Sequence, residues 1–408
     1  MRQIAKMDKG SNSYTIIIAL LPILSLYKDI FNLAEIGTIL LLISGVLLLL
    51  TNLGQIMKKK CPGYGWLVLF LIDAILSIFI WGHYDSATYR TAVLTVLIMA
   101  FCVLVHVGYS NTKVFSVRRA SSVVQIVSLI AAVLVLVQYI THYLFGFYAN
   151  FMIKPLLLDY IQYDYMSFML TGISIEGMFR PSAFFLEPSH MSLYCLIGVV
   201  TLLFNNISNK NSIKKAAIIS IGIMFTTSGI GIFFIIVVWT MWLFKHKDGQ
   251  NRGQFVSRLM NILIGVFSLA ILFILLLQVP IFLDAYYRVF SGSLGSSAIF
   301  PRIYNLLLFF EEDKSLQIIG NGFLTYPDSY YKYYNGAIKM LYGQGYIGLG
   351  LFIAFLWARF RRSDICGKIL IVMLAGLFVV AEMYSTIYLC YYLMFICADE
   401  KYITCRAV

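Results

Sequence analysis

Long apolar runs recur along almost the whole chain, and they constrain its fold more than any other feature. A helix needs about 20 apolar residues to cross a bilayer, with a lower limit of about 17, and most of the runs reach that range. Of the 408 residues, 60% are hydrophobic and 12% are charged, which leaves too little polar surface to cover a soluble domain. The runs lie near residues 13–27, 33–52, 64–82, 90–109, 122–143, 189–205, 213–227, 229–245, 259–278, 336–357, 367–381 and 385–398. We therefore predict an all-α, polytopic membrane protein with about 12 transmembrane helices (11–13), forming one transmembrane domain over residues 1–408.

The run from Ala216 to Phe244 is too long for one crossing and short for two. Lysines precede it at 210, 214 and 215, and basic residues follow it at 245, 247, 252 and 258. Both basic groups favour the cytoplasmic side, because Lys and Arg are enriched in the inner loops of membrane proteins. Two crossings satisfy that preference, with a tight outer turn at Thr226-Thr227-Ser228-Gly229.

The basic charge of the chain follows its predicted topology. With a cytoplasmic N-terminus, the inner segments hold 22 of the 31 Lys and Arg residues, whereas most acidic residues lie outside. This bias explains the net charge of +12 without a nucleic-acid partner. The first apolar run has no small-residue cleavage site, and we expect it to remain as an anchor.

The cysteines give no sign of an outer disulfide framework. All seven fall in apolar runs or in loops predicted to be cytoplasmic, and no C-x-x-C pair occurs. We therefore expect no metal site built from them.

Two predicted outer loops are much longer than the other connections. They cover about 144–188 and 279–335, and long connections in a compact protein are usually functional or disordered. These loops are rich in Tyr, Phe and Leu, which favours ordered structure. Residues 155–168 and 302–310 have the character of amphipathic helices lying at the outer interface.

Three outer arginines, Arg180, Arg288 and Arg302, lie among apolar or aromatic neighbours. The guanidinium group presents a planar pair of donors that matches phosphate oxygens. A site for a lipid-linked diphosphate would need two or three such cations. The alternative is that each arginine pairs with a nearby acid, such as Glu187, Asp284 or Glu311, and only holds its loop together.

Glu187 and His190 lie at the start of the apolar run that follows the first large loop. Pro188 and Ser189 suit the first turn of a helix, and a carboxylate there favours the positive end of the helix dipole. Glu187 is therefore either a structural cap or the base, or the orienting group of a base, for a sugar hydroxyl. His190 is either a structural hydrogen-bonding group or a second catalytic candidate.

Polar groups elsewhere are weaker candidates. Glycines at 343, 345, 348 and 350 begin a span, where they allow close helix packing or close approach of the backbone to a ligand. Asp73 lies inside the third apolar run, which makes it a functional candidate. No second carboxylate or lysine lies in the neighbouring runs to form a proton relay, so we favour a buried structural hydrogen bond for Asp73.

The order of these motifs resembles the O-antigen polymerase and O-antigen ligase superfamily, over about residues 170–350. The matching residues are Arg180-x6-Glu187-Pro188-Ser189, Thr226-Thr227-Ser228-Gly229, and Gly320-Asn321-Gly322 followed by Asn335-x7-Gly343-x-Gly345-x2-Gly348. Two departures occur: Gly229 stands where the turn often carries Arg, and Tyr334 stands where ligases commonly have His. The missing His favours a Wzy-type polymerase over a ligase.

The resemblance implies a multi-pass protein of the bacterial plasma membrane that acts on undecaprenyl-diphosphate-linked oligosaccharides at the outer face. A polymerase of this kind moves the growing glycan from its lipid diphosphate onto a new lipid-linked repeat, without nucleotide sugar, cofactor or metal. Outer arginines of the family are implicated in holding the diphosphate, which points to Arg180, Arg288 and Arg302. Glu187 and His190 would be the catalytic candidates, and Ser228, Tyr334 and Asn335 would position the substrate. A chain-length regulator and a flippase are the expected protein partners.

Other classes of protein remain open. A ligase of the same superfamily is one alternative, and a flippase for lipid-linked oligosaccharides is another. Transporters tend to place polar groups at mid-membrane in repeated halves, whereas this chain concentrates them in two outer loops. A purely structural subunit of a polysaccharide assembly complex is the third alternative.

Overall fold

The computed structural model describes most of the chain as helices. The described residues are 9–28, 35–56, 61–80, 82, 84–164, 166–173, 179–204, 210–245, 300–326 and 334–398. Within them every regular element is a helix, and the β-bridges found there are isolated, which confirms the predicted all-α class for these residues. The helices are α1 (Lys9–Leu24), α2 (Ile36–Ile56), α3 (Tyr64–Ile80), α4 (Ser86–Tyr109), α5 (Val117–Phe145), α6 (Asp159–Asp164), α7 (Met166–Thr171), α8 (Pro188–Phe204), α9 (Lys210–Phe225), α10 (Gly229–Lys245), α11 (Phe300–Glu311), α12 (Lys314–Ile319), α13 (Gly336–Arg362), α14 (Ile365–Val380) and α15 (Thr386–Cys397).

The chain divides into two compact units. The first unit comprises residues 1–123, 156–158 and 301–408, and the second comprises residues 124–155 and 159–300. Helix α5 begins in the first unit and continues in the second.

Polar side chains set the starting points of four helices in the first unit. Each accepts a hydrogen bond from a backbone N–H in the first turn, which satisfies a donor that has no partner inside the helix. The pairs are Asp85 with Thr88 at 2.6 Å, Asn335 with Ile338 at 2.9 Å, Asp364 with Gly367 at 2.8 Å, and Ser385 with Tyr388 at 3.5 Å.

The described helices are compatible with a membrane location. Three are long and apolar enough to cross a bilayer: Thr88–Tyr109, Val117–Phe145 and Gly336–Arg362. Seven shorter helices are also apolar. Large apolar side chains on their outer faces are exposed, such as Leu47 and Leu50 of α2 at 55% and 78%, which is typical of a surface covered by lipid. The count of 12 spans and the cytoplasmic N-terminus stay predictions, and the predicted span 259–278 lies outside the described residues.

One prediction about local structure is confirmed, and a second is confirmed in part. The long apolar run over Ala216–Phe244 is broken into two helices, because α9 ends at Phe225 and α10 begins at Gly229. The segments predicted as amphipathic helices at the outer interface contain helices, while their position at an interface stays a prediction. A short 3-10 helix (Lys154–Leu156), α6 and the start of α7 fall within or beside 155–168, and α11 covers 302–310.

The first unit is held together by buried polar contacts as well as by apolar packing. Tyr14 of α1 hydrogen-bonds His106 of α4 at 2.8 Å, and the other ring nitrogen of His106 is 3.0 Å from the carbonyl oxygen of Leu41 in α2. One buried imidazole thus joins three helices. Helix α15 packs against α1, α4 and α14, and α13 packs against α3 and α14.

Helix α8 is the most completely buried of the helices described in the second unit. Of its 17 residues, all are buried except Ser189 and His190, which are half-buried. It packs against α9 and α10. Gly198 lets α8 approach α5 closely, because a Cβ at that position would lie 2.9 Å from the hydroxyl oxygen of Ser128.

Candidate functional site

The segment that leads into α8 is fixed by a glutamine of α5. The backbone N–H of Ala183 donates to Gln138 Oε1 at 2.8 Å, and Gln138 Nε2 approaches the Ala183 carbonyl oxygen at 3.1 Å. Ala183 has a φ of 55°, a left-handed conformation that is strained for a residue with a side chain. The hydroxyl of Ser182 donates to the Phe185 carbonyl at 2.7 Å and closes the turn. The residues between Arg180 and Glu187 therefore have a defined path.

An aromatic cluster fixes the residue next to Arg180. The ring of Phe179 stacks on His142 with a centroid distance of 3.9 Å and an interplanar angle of 4°. Three tyrosines meet the same ring at nearly perpendicular angles: Tyr139, Tyr143 and Tyr148. The backbone N–H of Arg180 donates to the Gly172 carbonyl at 2.8 Å, and the residue itself is half-buried. The guanidinium group of Arg180 therefore extends from an anchored backbone.

Glu187 and His190 are at the beginning of α8. Glu187 directly precedes the helix, and its carbonyl accepts a hydrogen bond from the Met191 N–H at 3.1 Å. Its carboxylate accepts a hydrogen bond from the Ser189 hydroxyl at 3.0 Å, and it acts electrostatically on the His190 imidazole. This geometry fits the cap that the sequence suggested, because a carboxylate is favourable at a helix N-terminus. It also places a carboxylate beside an imidazole at the only half-buried part of α8 among its described residues.

Ser228 stabilises the turn between α9 and α10. Its hydroxyl oxygen accepts a hydrogen bond from the Gly231 N–H at 3.3 Å, so it caps α10. Thr226, Thr227 and Ser228 are buried, and Thr227 has a φ of 56°. The Thr-Thr-Ser-Gly motif therefore specifies a tight buried turn.

The second unit brings four of the predicted site residues to one end of its helices. A Cβ at Gly231 in α10 would lie 2.8 Å from the Ser192 Cβ in α8, so these two helices begin side by side. Tyr139 contacts both Phe179 and Phe225, with centroid distances of 5.2 Å and 5.3 Å. Phe225 is the last residue of α9, immediately before the buried turn. Four residues thus share this end of the second unit: Arg180, Glu187, His190 and Ser228.

The other predicted site residues belong elsewhere. Arg288 lies outside the described residues, and Arg302 lies on α11, where only its backbone is described. Tyr334 and Asn335 are in the first unit, where Asn335 caps α13. The ring of Tyr334 stacks on Tyr326 at 5.0 Å. Their predicted substrate-positioning role stays a prediction.

The glycine motif after the second large loop has a structural explanation. Helix α13 is broken at Gly345, which has a φ of 62° and a ψ of −160°. Because the break interrupts the helical hydrogen bonds, backbone carbonyls before Gly345 can accept hydrogen bonds from the loop at Gly320-Asn321-Gly322. The N–H of Asn321 donates to the Tyr342 carbonyl at 2.6 Å, and that of Gly322 donates to the Gly343 carbonyl at 3.1 Å. The backbone at these glycines is thus in close contact with the Gly320-Asn321-Gly322 loop, and the predicted approach to a ligand stays a prediction.

A polar group that the sequence analysis missed joins this broken helix to α3. Gln344 Nε2 donates to the Asp73 carboxylate at 2.9 Å and to the Phe70 carbonyl at 3.1 Å, and the Tyr384 hydroxyl donates to Gln344 Oε1. The structural hydrogen bond predicted for Asp73 is confirmed. Gln344 stands between two glycines of the motif, and that position was the only sequence signal for its importance.

A second missed pair is Lys339 and Glu382, which form an ion pair near Tyr326. The Lys339 ammonium group also lies 5.9 Å from the centre of the Tyr326 ring, within cation–π range. Lys339 lies on α13 and Glu382 lies 43 positions later, in the connection between α14 and α15, and spacing in the sequence gave no signal for the pairing.

Within the part of the chain that the structure describes, no group of three or more His, Cys, Asp or Glu side chains is placed to hold a metal ion. Comparisons of the chain with protein-family models and with curated protein sequences found no match. The likeness to O-antigen polymerases therefore rests on the sequence motifs alone.

Proposed function

We propose that the protein is a glycosyltransferase of the bacterial plasma membrane that polymerises undecaprenyl-diphosphate-linked oligosaccharide repeats at the outer face. The observation that carries the proposal is the gathering of Arg180, Glu187, His190 and Ser228 at one end of the second unit. This reaction needs a cation that holds the leaving diphosphate and one group, a carboxylate or an imidazole, that takes the proton of the acceptor hydroxyl.

Arg180 is the proposed anchor for the diphosphate of the donor. Its guanidinium group can offer two parallel N–H donors to phosphate oxygens. The hydrogen bond from the Arg180 backbone N–H to Gly172 and the stacking of Phe179 hold the backbone in place here. This backbone therefore needs little further ordering when the diphosphate binds. As the glycan leaves its carrier, the same group stabilises the charge that develops on the diphosphate.

Glu187 and His190 are the proposed proton acceptors. The acceptor hydroxyl attacks the anomeric carbon of the donor sugar, and a new carbon–oxygen bond forms. The bond from that carbon to the diphosphate oxygen breaks, and undecaprenyl diphosphate leaves with the electron pair. The proton of the hydroxyl passes to the Glu187 carboxylate or to the His190 imidazole, which are within electrostatic reach of each other.

The test compares the size distribution of surface polysaccharide in strains that carry single variants. We expect Arg180→Ala to slow chain transfer about 100-fold, the loss typical of removing one charge-stabilising donor, and to leave single repeats on the surface acceptor. Arg180→Lys should keep partial activity, because it retains the charge but not the paired donors. Arg90 of α4 is exposed and is also predicted to be outside, so Arg90→Ala is the matched control.

Other outcomes separate the alternatives. Full-length surface polymer in Arg180→Ala and Glu187→Gln strains, at normal protein level, would refute the proposed site. Long polymer that stays on its lipid carrier in a strain without the protein would make the protein a ligase. Repeats that accumulate only on the inner face would make it a flippase.

A further inference from the structure

The turn between α13 and α14 lies at the end of these helices that the charge distribution predicts to be cytoplasmic. Two residues, Ser363 and Asp364, separate the helices. The Ser363 hydroxyl donates to the Arg359 carbonyl at 2.9 Å, and the Asp364 carboxylate accepts a hydrogen bond from the Gly367 N–H at 2.8 Å. Hydrogen bonds therefore hold the turn from both sides, and α13 packs against α14.

Three cations flank this turn. Arg361 and Arg362 are exposed in the last turn of α13, and Lys368 lies in the first turns of α14. The carboxylate of Asp364 is engaged as the cap of α14, and among the described residues no ion pair joins it to any of the three cations. The positive charge around the turn is therefore available to an anionic ligand.

Two aromatic side chains lie beside the cations. The Lys368 ammonium group is 5.5 Å from the centre of the Phe360 ring, within cation–π range. The Phe360 ring is nearly parallel to that of Trp357, with a centroid distance of 6.0 Å and an interplanar angle of 9°. Trp357 is 60% exposed. Tryptophan is enriched at the level of the lipid headgroups, which is where this aromatic pair would place the turn.

An exposed apolar face continues from the aromatic pair along both helices. On α13, Ile353 lies about one turn before the tryptophan and is 54% exposed. Gly350 widens this face, because nothing lies within 4 Å of a Cβ added there. On α14, Ile365 and Val372 are exposed, and their spacing places them on the same face as Lys368. A cation cluster that borders an apolar face matches a phospholipid, which has an anionic headgroup and apolar chains.

We propose that the turn between α13 and α14 binds an anionic phospholipid of the cytoplasmic leaflet. Arg361, Arg362 and Lys368 bind its phosphate and headgroup, since arginine offers paired donors to phosphate oxygens. The acyl chains lie along the exposed apolar faces of α13 and α14. These faces favour a lipid over a free phosphate, because a free anion gains nothing from apolar contact. Lipid binding at this turn is independent of the proposed glycan chemistry.

Arg118 and Arg119 are a matched control pair in the same unit. They are adjacent and exposed in the first turn of α5, at an end that is also predicted to be cytoplasmic. Among the residues that the structure describes, no aromatic ring contacts either of them. A general attraction to an anionic membrane would involve this pair as much as the cations at the turn, whereas a defined site would not.

The experiment uses the full chain with Trp357 as its only tryptophan, after the other four are replaced by Phe. The protein is reconstituted in phosphatidylcholine vesicles with a minor fraction of dibrominated phosphatidylglycerol, because bromine quenches the fluorescence of a nearby indole. We expect an apparent association at least about 10-fold stronger than with dibrominated phosphatidylcholine at the same fraction. The reason is that each cation near an anionic surface strengthens attraction about fivefold.

Variants at the two basic clusters separate a site from general attraction. Replacing Arg361, Arg362 and Lys368 together by Gln should abolish the preference for phosphatidylglycerol, whereas Arg118→Gln combined with Arg119→Gln should keep it. Equal quenching by the two brominated lipids would overturn the proposal, and so would an equal loss of preference in both variants. Reversal of the quenching by inorganic phosphate would also overturn it, because the ligand would then be a free anion.

A second measurement keeps the test decisive if the single-tryptophan chain does not fold. The unsubstituted chain is released for native mass spectrometry from micelles that contain equal amounts of phosphatidylglycerol and phosphatidylcholine. We expect it to retain phosphatidylglycerol, the variant at Arg361, Arg362 and Lys368 to lose it, and the variant at Arg118 and Arg119 to keep it. Equal retention of phosphatidylglycerol by the two variants would overturn the proposal.

Discussion

A single amide, that of Gln138, determines the backbone path to the candidate site. Its side chain contacts the Ala183 N–H and carbonyl, the Tyr148 hydroxyl at 3.0 Å and the Ala149 carbonyl at 3.0 Å. Gln138 and Ala183 are both fully buried. The left-handed conformation of Ala183 is retained because this amide satisfies both of its backbone groups.

We expect Gln138→Leu to lower the free energy of unfolding by about 1–3 kcal/mol, because buried backbone groups at Ala183 lose their partner. Thermal unfolding in detergent measures the change. Gln125→Leu is the control, since the side chain of Gln125 makes one hydrogen bond to the residues that the structure describes, to Thr201 at 3.1 Å. An equal decrease in the free energy of unfolding in both variants would show that the hydrogen bonds from Gln138 to Ala183 add no extra stability.

At the scale of residues, the sequence analysis identified the charged residues but missed the side chains that hold them in position. Arg180, Glu187 and His190 were predicted because charge is rare beside apolar helices. Gln138 lies 45 positions before Ala183, and an amide inside an apolar helix carries no local signal of its partner. Gln344 was overlooked for the same reason. The capping roles of Ser228 and Asn335 also depend on turns whose geometry the sequence alone does not define.

At the scale of elements, the break in α13 is the most specific feature of the first unit. Gly345 interrupts the helix, and the loop at Gly320-Asn321-Gly322 bonds to the carbonyls on its N-terminal side. A Cβ at Gly345 would lie 2.7 Å from the Gly320 N and would press on the Ile318 carbonyl. The motif predicted close packing, but the identity of the contacting segment required the structure.

Gly345→Ala should therefore destabilise the protein by about 1–3 kcal/mol, because it combines a left-handed φ with a backbone clash. Gly350→Ala on the same helix should be neutral or slightly stabilising, because nothing lies within 4 Å of its added Cβ. The midpoint of thermal unfolding, measured for both variants in the same detergent, checks the difference. Equal midpoints of thermal unfolding in the two variants would contradict the strain expected for a side chain at position 345.

At the scale of the whole molecule, hydropathy predicted helices well and predicted their partners poorly. Apolar runs mark where helices form, since a run in a lipid or protein interior must satisfy its backbone polar groups by hydrogen bonds within the segment. They do not say which helices pack together. The division into two compact units therefore depends on contacts such as those of α8 with α9 and α10.

The predicted topology makes a direct test possible. Alkaline phosphatase fused after residue 152 or 313 should be active, because both positions fall in the predicted outer loops. Fusions after residue 247 or 365 should be inactive, because basic residues hold these loops in the cytoplasm. Green fluorescent protein at the same four positions should give the opposite pattern. Alkaline phosphatase activity in the fusion after residue 247 would show that the orientation predicted for α9 and α10 is wrong.

The burial of α8 has a consequence for how the chain tolerates sequence change. Its side chains meet other side chains along nearly the whole helix, whereas α3 exposes Leu69, Ile72, Leu76 and Phe79. Exchanges among Leu, Ile, Val and Phe leave lipid contact almost unchanged, but they alter volume in a close-packed interior. These two apolar helices are therefore under different selection. α8 should drift slowly over evolutionary time, while the exposed face of α3 is free to vary.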